Sequence, residues 1–360
     1  MSPRVVIIGG GYGGSAAAKA LDDVTDVTLV ESKDAFLHNV GALRAAVDAD
    51  FAPRIFLPYD KLLSRGRIVR DRAVRVEPGK VALASGATLD ADYLVLATGS
   101  GYPFPAKSDL DDSSATLAKF GATRAQLAQA DRVLLLGAGP VGLEFAGEIK
   151  AKWPGKQVVL IDPAPALLSG YSEPFRAEIL RQLDELGIEL LLGDSLAQEP
   201  PTPAGTAKEF TVTTRAGTEV TAQTWFRTHG VTPATGYLAG ALADARLVGG
   251  QVEVTPTLQV KGQRTVFALG DITDVAEPKR AGAAMRHAEV IAENITSLIE
   301  GGTDLTRYEP GPPVLLLPLG PDGGATEMPG GELLGPGTTA QYKGADLMLG
   351  RFSETFGLGK

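Results

Sequence analysis

The stretch that decides the fold is "LLLGAGPVGLEFAGEI", Leu134 to Ile149. An aliphatic run ends in Gly137, Gly139 and Gly142, and a helical pattern follows directly, with Pro140 in the first turn, where its missing N–H costs nothing. Glycines so placed allow a sharp turn, approach of the backbone to a pyrophosphate and close packing of helix on strand. The same arrangement opens the chain in "VVIIGGGYGGSAAAKA", Val5 to Ala20, where Gly9, Gly11 and Gly14 take the corresponding places. Small residues, Ala18 and Ala146, follow four positions after the last glycine of each set. Each helix N-terminus offers unpaired N–H groups and about half a positive charge to phosphate. Each second strand ends in a carboxylate, Glu31 or Asp162, near the spacing suited to an adenosine ribose. One such motif is a weak signal. Two, each complete with strand, helix and acidic residue, predict two dinucleotide cradles in one chain.

Composition narrows what those cradles serve. With 360 residues, 44% hydrophobic and 21% charged, the chain reads as two or three globular domains, neither disordered nor membrane-spanning. A net charge of −9 without a basic stripe argues against a nucleic-acid partner. The complete lack of cysteine removes disulfides, thiolate metal sites and dithiol redox chemistry, and the three histidines lack metal-ligand spacing, so no metal is expected. The first glycine turn begins at residue 9, leaving no room for a cleaved signal, and position 2 is serine rather than the glycine of a myristoylation signal. The longest apolar runs, such as Val314 to Leu317, fall far short of the roughly 18 residues of a spanning helix. The reading is a cytoplasmic protein, with membrane contact at most peripheral.

Along the chain, a strand at Arg4 to Ile8, a helix at Ser15 to Leu21 and a strand ending at Glu31 form the first unit. A helix is expected from Val40 to Val47 behind Asn39, with strands near Ile68 to Val76 and Val81 to Leu83. Pro103 and Pro105 read as a domain exit. The second unit restarts at Asp131, with a helix from Glu173 to Leu186, a strand at Ile188 to Leu192 and a hairpin of "FTVTT" with "TEVTAQTWF". The tail holds a strand in "VLLLPLG" and a last helix with Tyr342, Ala345, Leu349 and Phe352 on one face.

Two more fragments separate the roles of the cradles. "ATGS", with Thr98 and Gly99, ends a strand in residues small enough for the backbone to pass a flavin dinucleotide; "TVFALGD" ends one in Asp271, a carboxylate suited to ribityl hydroxyls. The first cradle then holds FAD and the second an exchangeable nicotinamide. Asp162 is followed by Pro163-Ala164-Pro165, with no cation for a 2′-phosphate, which favours NADH over NADPH. The predicted fold class is α/β, with two Rossmann-like dinucleotide-binding domains and a small C-terminal α+β domain. The expected boundaries are 1–106 with 236–305 for FAD, 107–235 for NADH and 306–360 for the tail domain.

These features, with "HNVGALRAAVDADFA", "ATGSGYPFPAK" and "FALGDITDVAEPKRAGAAMRHAEVIAENI", resemble the two-dinucleotide flavoproteins. Within them the chain is most similar to the family of the AIF-homologous mitochondrion-associated inducer of death, or ferroptosis suppressor protein, from residue 5 to about 350. That resemblance implies an FAD-containing NAD(P)H oxidoreductase that reduces quinones, related to type II NADH dehydrogenases. By position it places flavin contacts on Gly9, Gly10, Gly11, Tyr12 and Gly13, on Arg44, on the Ala73 backbone and on Asp271. It places Glu144 by the nicotinamide and makes Lys279 a candidate to hold negative charge on reduced flavin. His38 reads as a neighbour of the flavin pocket and His287 as a packed core residue. Where the family has a second Thr-Gly, this chain has Thr228-His229-Gly230.

Without cysteine, electrons have to leave the flavin directly. The expected activity is NADH:quinone oxidoreduction. Two other readings stand beside it: reduction of a ferredoxin-type protein, and nicotinamide sensing with incidental turnover.

Overall fold

In the computed structural model, which describes residues 2–312 and 314–359, each glycine turn follows an interior strand of a parallel sheet. The first sheet runs Val266–Ala268, Tyr93–Leu96, Arg4–Ile8, Asp26–Glu31, Arg67–Arg70. The second runs Ile188–Leu192, Gln157–Asp162, Arg132–Leu136, Thr224–Arg227. The two repeat one pairing: Val5 lies opposite Val27 and Leu134 opposite Val159, each strand beside the one that its glycine-turn helix leads to. Val5 to Ile8 and Val133 to Leu136 are buried without interruption, the signature of strands covered on both faces. The first sheet takes its last strand from residues 266–268, after the second sheet is complete, so the second unit is inserted within the first.

Several elements depart from sequence expectation for local reasons. The 17-residue helix Ser113–Gln129, capped by the Asp112 carboxylate on Ala115 N at 2.8 Å, was not foreseen. Its buried positions are Thr116, Phe120, Thr123 and Leu127, so the spacing is helical but half the stripe is threonine. The segment "TEVTAQTWF" divides at Gln223. Glu219–Ala222 pairs antiparallel with Phe210–Thr213, while Thr224–Arg227 joins the parallel sheet. The expected helix at Val40 to Val47 is one short turn of 3-10 helix, Asn39–Gly41, leading into Ala42–Ala45.

The tail folds as three antiparallel strands, Leu315–Leu317, Ala325–Glu327 and Leu333–Leu334, and a broken helical segment. Leu347 and Met348 stand at φ 55° and 64°, so the helix Leu349–Thr355 restarts out of phase with the turns before it. Leu349 and Phe352 are buried, but Tyr342, expected on the same face, is 55% exposed. Phe352 and Phe356 pack against Tyr12 and Phe36 of the first unit, with ring centroids 5.0 Å (Tyr12–Phe352) and 4.6 Å (Phe36–Phe356) apart. Among the described residues, no helix is long and apolar enough to cross a membrane.

The tail also lies against the helix Pro140–Lys152. A side chain on Gly147 would meet the backbone of Leu319 and Gly320 at 2.6 Å. Gly147→Ala is therefore expected to destabilise the protein by about 1–3 kcal/mol, since backbone cannot yield as a side chain does. The urea midpoint reads this, and an unchanged midpoint contradicts the packing.

Candidate active site

The glycines of the first turn do different work. Gly9, at φ +101°, lies so close to the end of the Tyr93–Leu96 strand that a Cβ would meet Ala97 O at 2.6 Å and Thr98 Cα at 2.9 Å. A Cβ on Gly14 would run into the Gly9 carbonyl, whereas around Gly11 nothing lies within 4 Å. The helix Tyr12–Leu21 thus presents an open N-terminus where a pyrophosphate has to approach. Glu31 Oε2 accepts the Gly10 N–H at 2.6 Å, which draws the carboxylate to the lip of the turn; Tyr59 and Ser15 each donate to Gly10 O at 2.8 Å. Gly13 packs against Leu269 and Ala284, fixing the helix against the Asp271 turn.

Thr98 Oγ1 donates to Ala234 O at 2.7 Å, and the Gly99 carbonyl accepts from Ala234 N at 2.9 Å, tying "ATGS" to the chain returning from the second unit. Asp271 Oδ2 accepts from Ser100 Oγ at 2.5 Å and from Lys107 Nζ at 3.0 Å. Burial alone would raise the Asp271 carboxyl, but Lys107 and the Ser100 hydroxyl hold it below the ordinary aspartate value. Lys279 is half-buried and donates to Val275 O at 2.7 Å and Thr273 Oγ1 at 3.3 Å, within its own loop. Burial lowers its ammonium pKa. Ala73 opens the strand Ala73–Glu77 of a separate three-stranded antiparallel sheet.

The second turn repeats the first. Gly137 stands at φ +115° with Thr228 at its back, and Thr228 Oγ1 donates to Leu136 O at 2.9 Å and Gly137 O at 2.8 Å. A Cβ on Gly142 would strike the Gly137 carbonyl, while Gly139 faces open space. Asp162 Oδ2 accepts from Ala138 N at 2.7 Å and Oδ1 from Ala164 N at 2.8 Å, the counterpart of Glu31 on Gly10.

Between the cradles, the helix Pro140–Lys152 carries Glu144 and Glu148 one turn apart, and each meets a cation from a distant part of the chain. Arg44 is 5% exposed and grips Glu148 through Nε (3.0 Å to Oε2) and Nη2 (2.8 Å to Oε1). Its Nη1 and Nη2 also reach Ala345 O at 2.8 Å and Gly344 O at 2.7 Å. The Arg44 side chain, assigned to the flavin by resemblance, is therefore committed to Glu148 and the tail, because a buried guanidinium has to be matched within the protein. Lys343 of the tail donates to Glu144 Oε1 at 2.7 Å. Burial raises both glutamate pKa values and the two carboxylates repel one another; Lys343 and Arg44 work in the opposite direction.

Tyr12 and His38 join the first cradle to the tail. His38 Nε2 meets Leu347 O at 2.8 Å, so that nitrogen carries the proton, and Nδ1 accepts from Tyr12 Oη at 3.2 Å. Burial takes the His38 pKa down to about 4, leaving the ring neutral at physiological pH. Next to it, Asn39 Oδ1 is buried and has no partner in the protein.

The donor set fits two dinucleotides: two helix N-termini open at Gly11 and Gly139, each with a carboxylate one strand away, and an orphaned amide oxygen beside the first. Sequence reading missed Lys107, Ser100, Glu148 and Lys343. The first two lie inside the quoted "ATGSGYPFPAK", and Glu148 stands four residues after Glu144; Lys343 has no local signal at all.

These features define an FAD-dependent pyridine nucleotide oxidoreductase. The sequence matches the pyridine nucleotide-disulphide oxidoreductase family over residues 3–288, and the chain belongs to it, although with no cysteine it has no disulphide to reduce. It is 34% identical to ferroptosis suppressor protein 1 of Taeniopygia guttata, over 99% of this chain and 96% of that protein. It is 32% identical to apoptosis-inducing factor homolog B of Dictyostelium discoideum, over 97% and 95%. Its fold is similar to that of the sulfide:quinone oxidoreductase of Aquifex aeolicus, with a TM-score of 0.77 at 19% identity, covering 99% of this chain and 92% of that one.

Replacing Glu148 by leucine leaves the Arg44 charge buried without its partner. The expected cost is about 3–5 kcal/mol of unfolding free energy, most of it recovered in the double variant Arg44→Met/Glu148→Leu. Urea denaturation compares the two, and a single variant as stable as wild type contradicts the pairing.

Proposed function

We propose that the chain is an NADH-dependent flavoprotein reductase whose electrons leave to a small quinone-type acceptor. In this reading the first cradle and Asp271 hold FAD, within residues 1–106 and 236–305. The second cradle holds NADH, within 107–235, and residues 306–360 cover the site. The observation that carries it is the pair of open helix N-termini in a chain with no cysteine. Bound FAD would accept a hydride from the nicotinamide and return the electrons to an acceptor, chemistry that asks the protein for orientation and exclusion of water rather than for a nucleophile.

The chain's own residues supply that setting. Gly11, with Glu31 at the turn, orients the first dinucleotide, and Asp271, kept ionised by Lys107, accepts ribityl hydroxyls. Gly139 and Asp162 orient the second. Asp162 is held in place by two backbone N–H groups, so it meets a ribose hydroxyl well and repels a 2′-phosphate. Glu144 with Lys343 forms a charge-matched pair that closes the nicotinamide side. A quinone as acceptor is what the resemblance to the ferroptosis suppressor protein family implies, and the full-length similarity to ferroptosis suppressor protein 1 supports that resemblance.

Anaerobic rapid mixing tests this reading. NADH is expected to bleach the bound flavin at least about tenfold faster than NADPH, a preference of about 1.4 kcal/mol, and Asp162→Asn to narrow the gap. Menadione added afterwards is expected to restore the visible band at once. Equal rates with the two nucleotides contradict the preference. Reoxidation only by a ferredoxin-type protein supports the second enzyme reading, and a reduced state indifferent to every acceptor supports a sensor.

A further inference from the structure

The histidine that sequence analysis assigns to the core lies directly behind the Asp271 turn. His287 is fully buried on the helix Ala281–Ile299, and its Nδ1 accepts the Gly270 N–H at 3.1 Å. Its Nε2 meets Glu277 Oε1 at 2.8 Å. The Glu277 side chain is only 5% exposed, and its other oxygen accepts from Tyr308 Oη at 2.7 Å. The Tyr308 ring stands edge-on to the imidazole, centroids 4.2 Å apart. Gly270 stands at φ +69°, its carbonyl held by Thr273 Oγ1 at 2.9 Å, and the next residue is Asp271. Thr273 N also donates to the Gly270 carbonyl, at 3.1 Å, so the carbonyl side of the turn that presents Asp271 is held by its own loop, while the Gly270 N–H is held by a ring nitrogen that has to be unprotonated to accept.

We propose that His287 is a positioning residue for the flavin site: neutral, with its Nε2 proton directed to Glu277, it anchors Gly270 and so sets Asp271, and its protonation in acid frees that anchor and loosens the cofactor. The inference rests on the reading of Asp271 as an FAD contact. The chemistry is one of donors and acceptors. A carboxylate accepts only, so Glu277 selects the tautomer with the proton on Nε2 and leaves Nδ1 as the acceptor. An imidazolium donates from both nitrogens, which sets Nδ1–H against the Gly270 N–H.

The groups facing the ring oppose one another. Burial lowers the His287 pKa below its ordinary value, and Lys279 from the preceding loop and Arg286 on the same helix act in that direction. Glu277 opposes them, and Tyr308 contributes a neutral hydroxyl to Glu277. Because the folded value is depressed, the neutral anchor is complete above the ordinary imidazole range of about 6.5 and is lost as pH falls through the folded value.

Two substitutions isolate the acceptor. His287→Asn and His287→Leu both abandon Glu277, but only asparagine offers an oxygen where Nδ1 was, and neither can gain a proton. FAD dissociation from the holoprotein, followed by the rise of free-flavin fluorescence from about pH 8 down to the lowest pH at which the thermal midpoints show the protein still folded, reads the difference. Wild type is expected to hold a constant rate at and above about pH 6.5 and to release faster once pH falls through the depressed folded value of His287. The asparagine variant is expected to stay near the wild-type neutral rate at every pH, and the leucine variant to release about tenfold faster, also without pH dependence. Acid-accelerated release that persists in His287→Asn overturns the relay even if the leucine variant fails to fold, and so do equal rates in the two variants. FAD held by wild type with release indifferent to pH overturns the relay alone. A wild-type protein that takes up no FAD overturns the reading of the site, and the relay with it.

Discussion

The arrangement of the molecule depends on one buried ion pair. Arg44 belongs to the first unit, Glu148 to the helix of the second glycine turn, and Gly344 and Ala345, whose carbonyls complete the guanidinium's hydrogen bonding, to the tail. Such a pair adds little net stability over a well-packed apolar alternative, yet it is costly to break and tolerates little misalignment. It therefore works as a register mark, tying three parts of the chain to one point. Lys343 on Glu144 repeats the device one helical turn away, and His38 on Leu347 O adds a third tie from the first cradle to the same tail segment. The left-handed residues Leu347 and Met348 come at the end of this tied segment, just before the last helix begins.

Within each unit the governing constraint is close approach. Gly9 and Gly14 in the first turn, and Gly142 in the second, stand where a single Cβ would strike backbone, and Gly137 holds φ +115° with Thr228 close at its back, while Gly11 and Gly139 face open space. Steric necessity and ligand access are thus separated residue by residue in the same six-residue motif. The carboxylates behave alike in both: Glu31 and Asp162 each accept a backbone N–H from the middle of their own turn, which aims them at the mouth of the cradle.

Much of this was legible in the sequence because it is local. The strand–turn–helix–strand units, the terminal acids, Pro140 at the helix start and the strand before Asp271 are all patterns within about thirty residues, and the parallel sheets follow from them. What escaped reading is long-range or weakly patterned. Lys343 and Glu144 are 199 positions apart and Arg44 and Glu148 are 104, and no periodicity announces a partner at such distance. The helix Ser113–Gln129 buries threonines at two of its four core positions and so lacks a strong apolar stripe. Tyr342 fell outside the expected face because the tail changes phase at Leu347.

Two cradles of one design, set against each other by a buried charge pair and closed by a tail that delivers Lys343 to Glu144, suit a chain that moves electrons between two nucleotides and has no cysteine to pass them on. The central claim is that the nicotinamide meets the flavin directly. Anaerobic stopped-flow with NADH deuterated at either face of C4 tests it most directly. The account predicts that the yellow protein bleaches on mixing and that the rate falls severalfold for one deuterated face only. A protein that binds no flavin, or one whose bleaching by NADH is insensitive to deuterium on both faces, would contradict it.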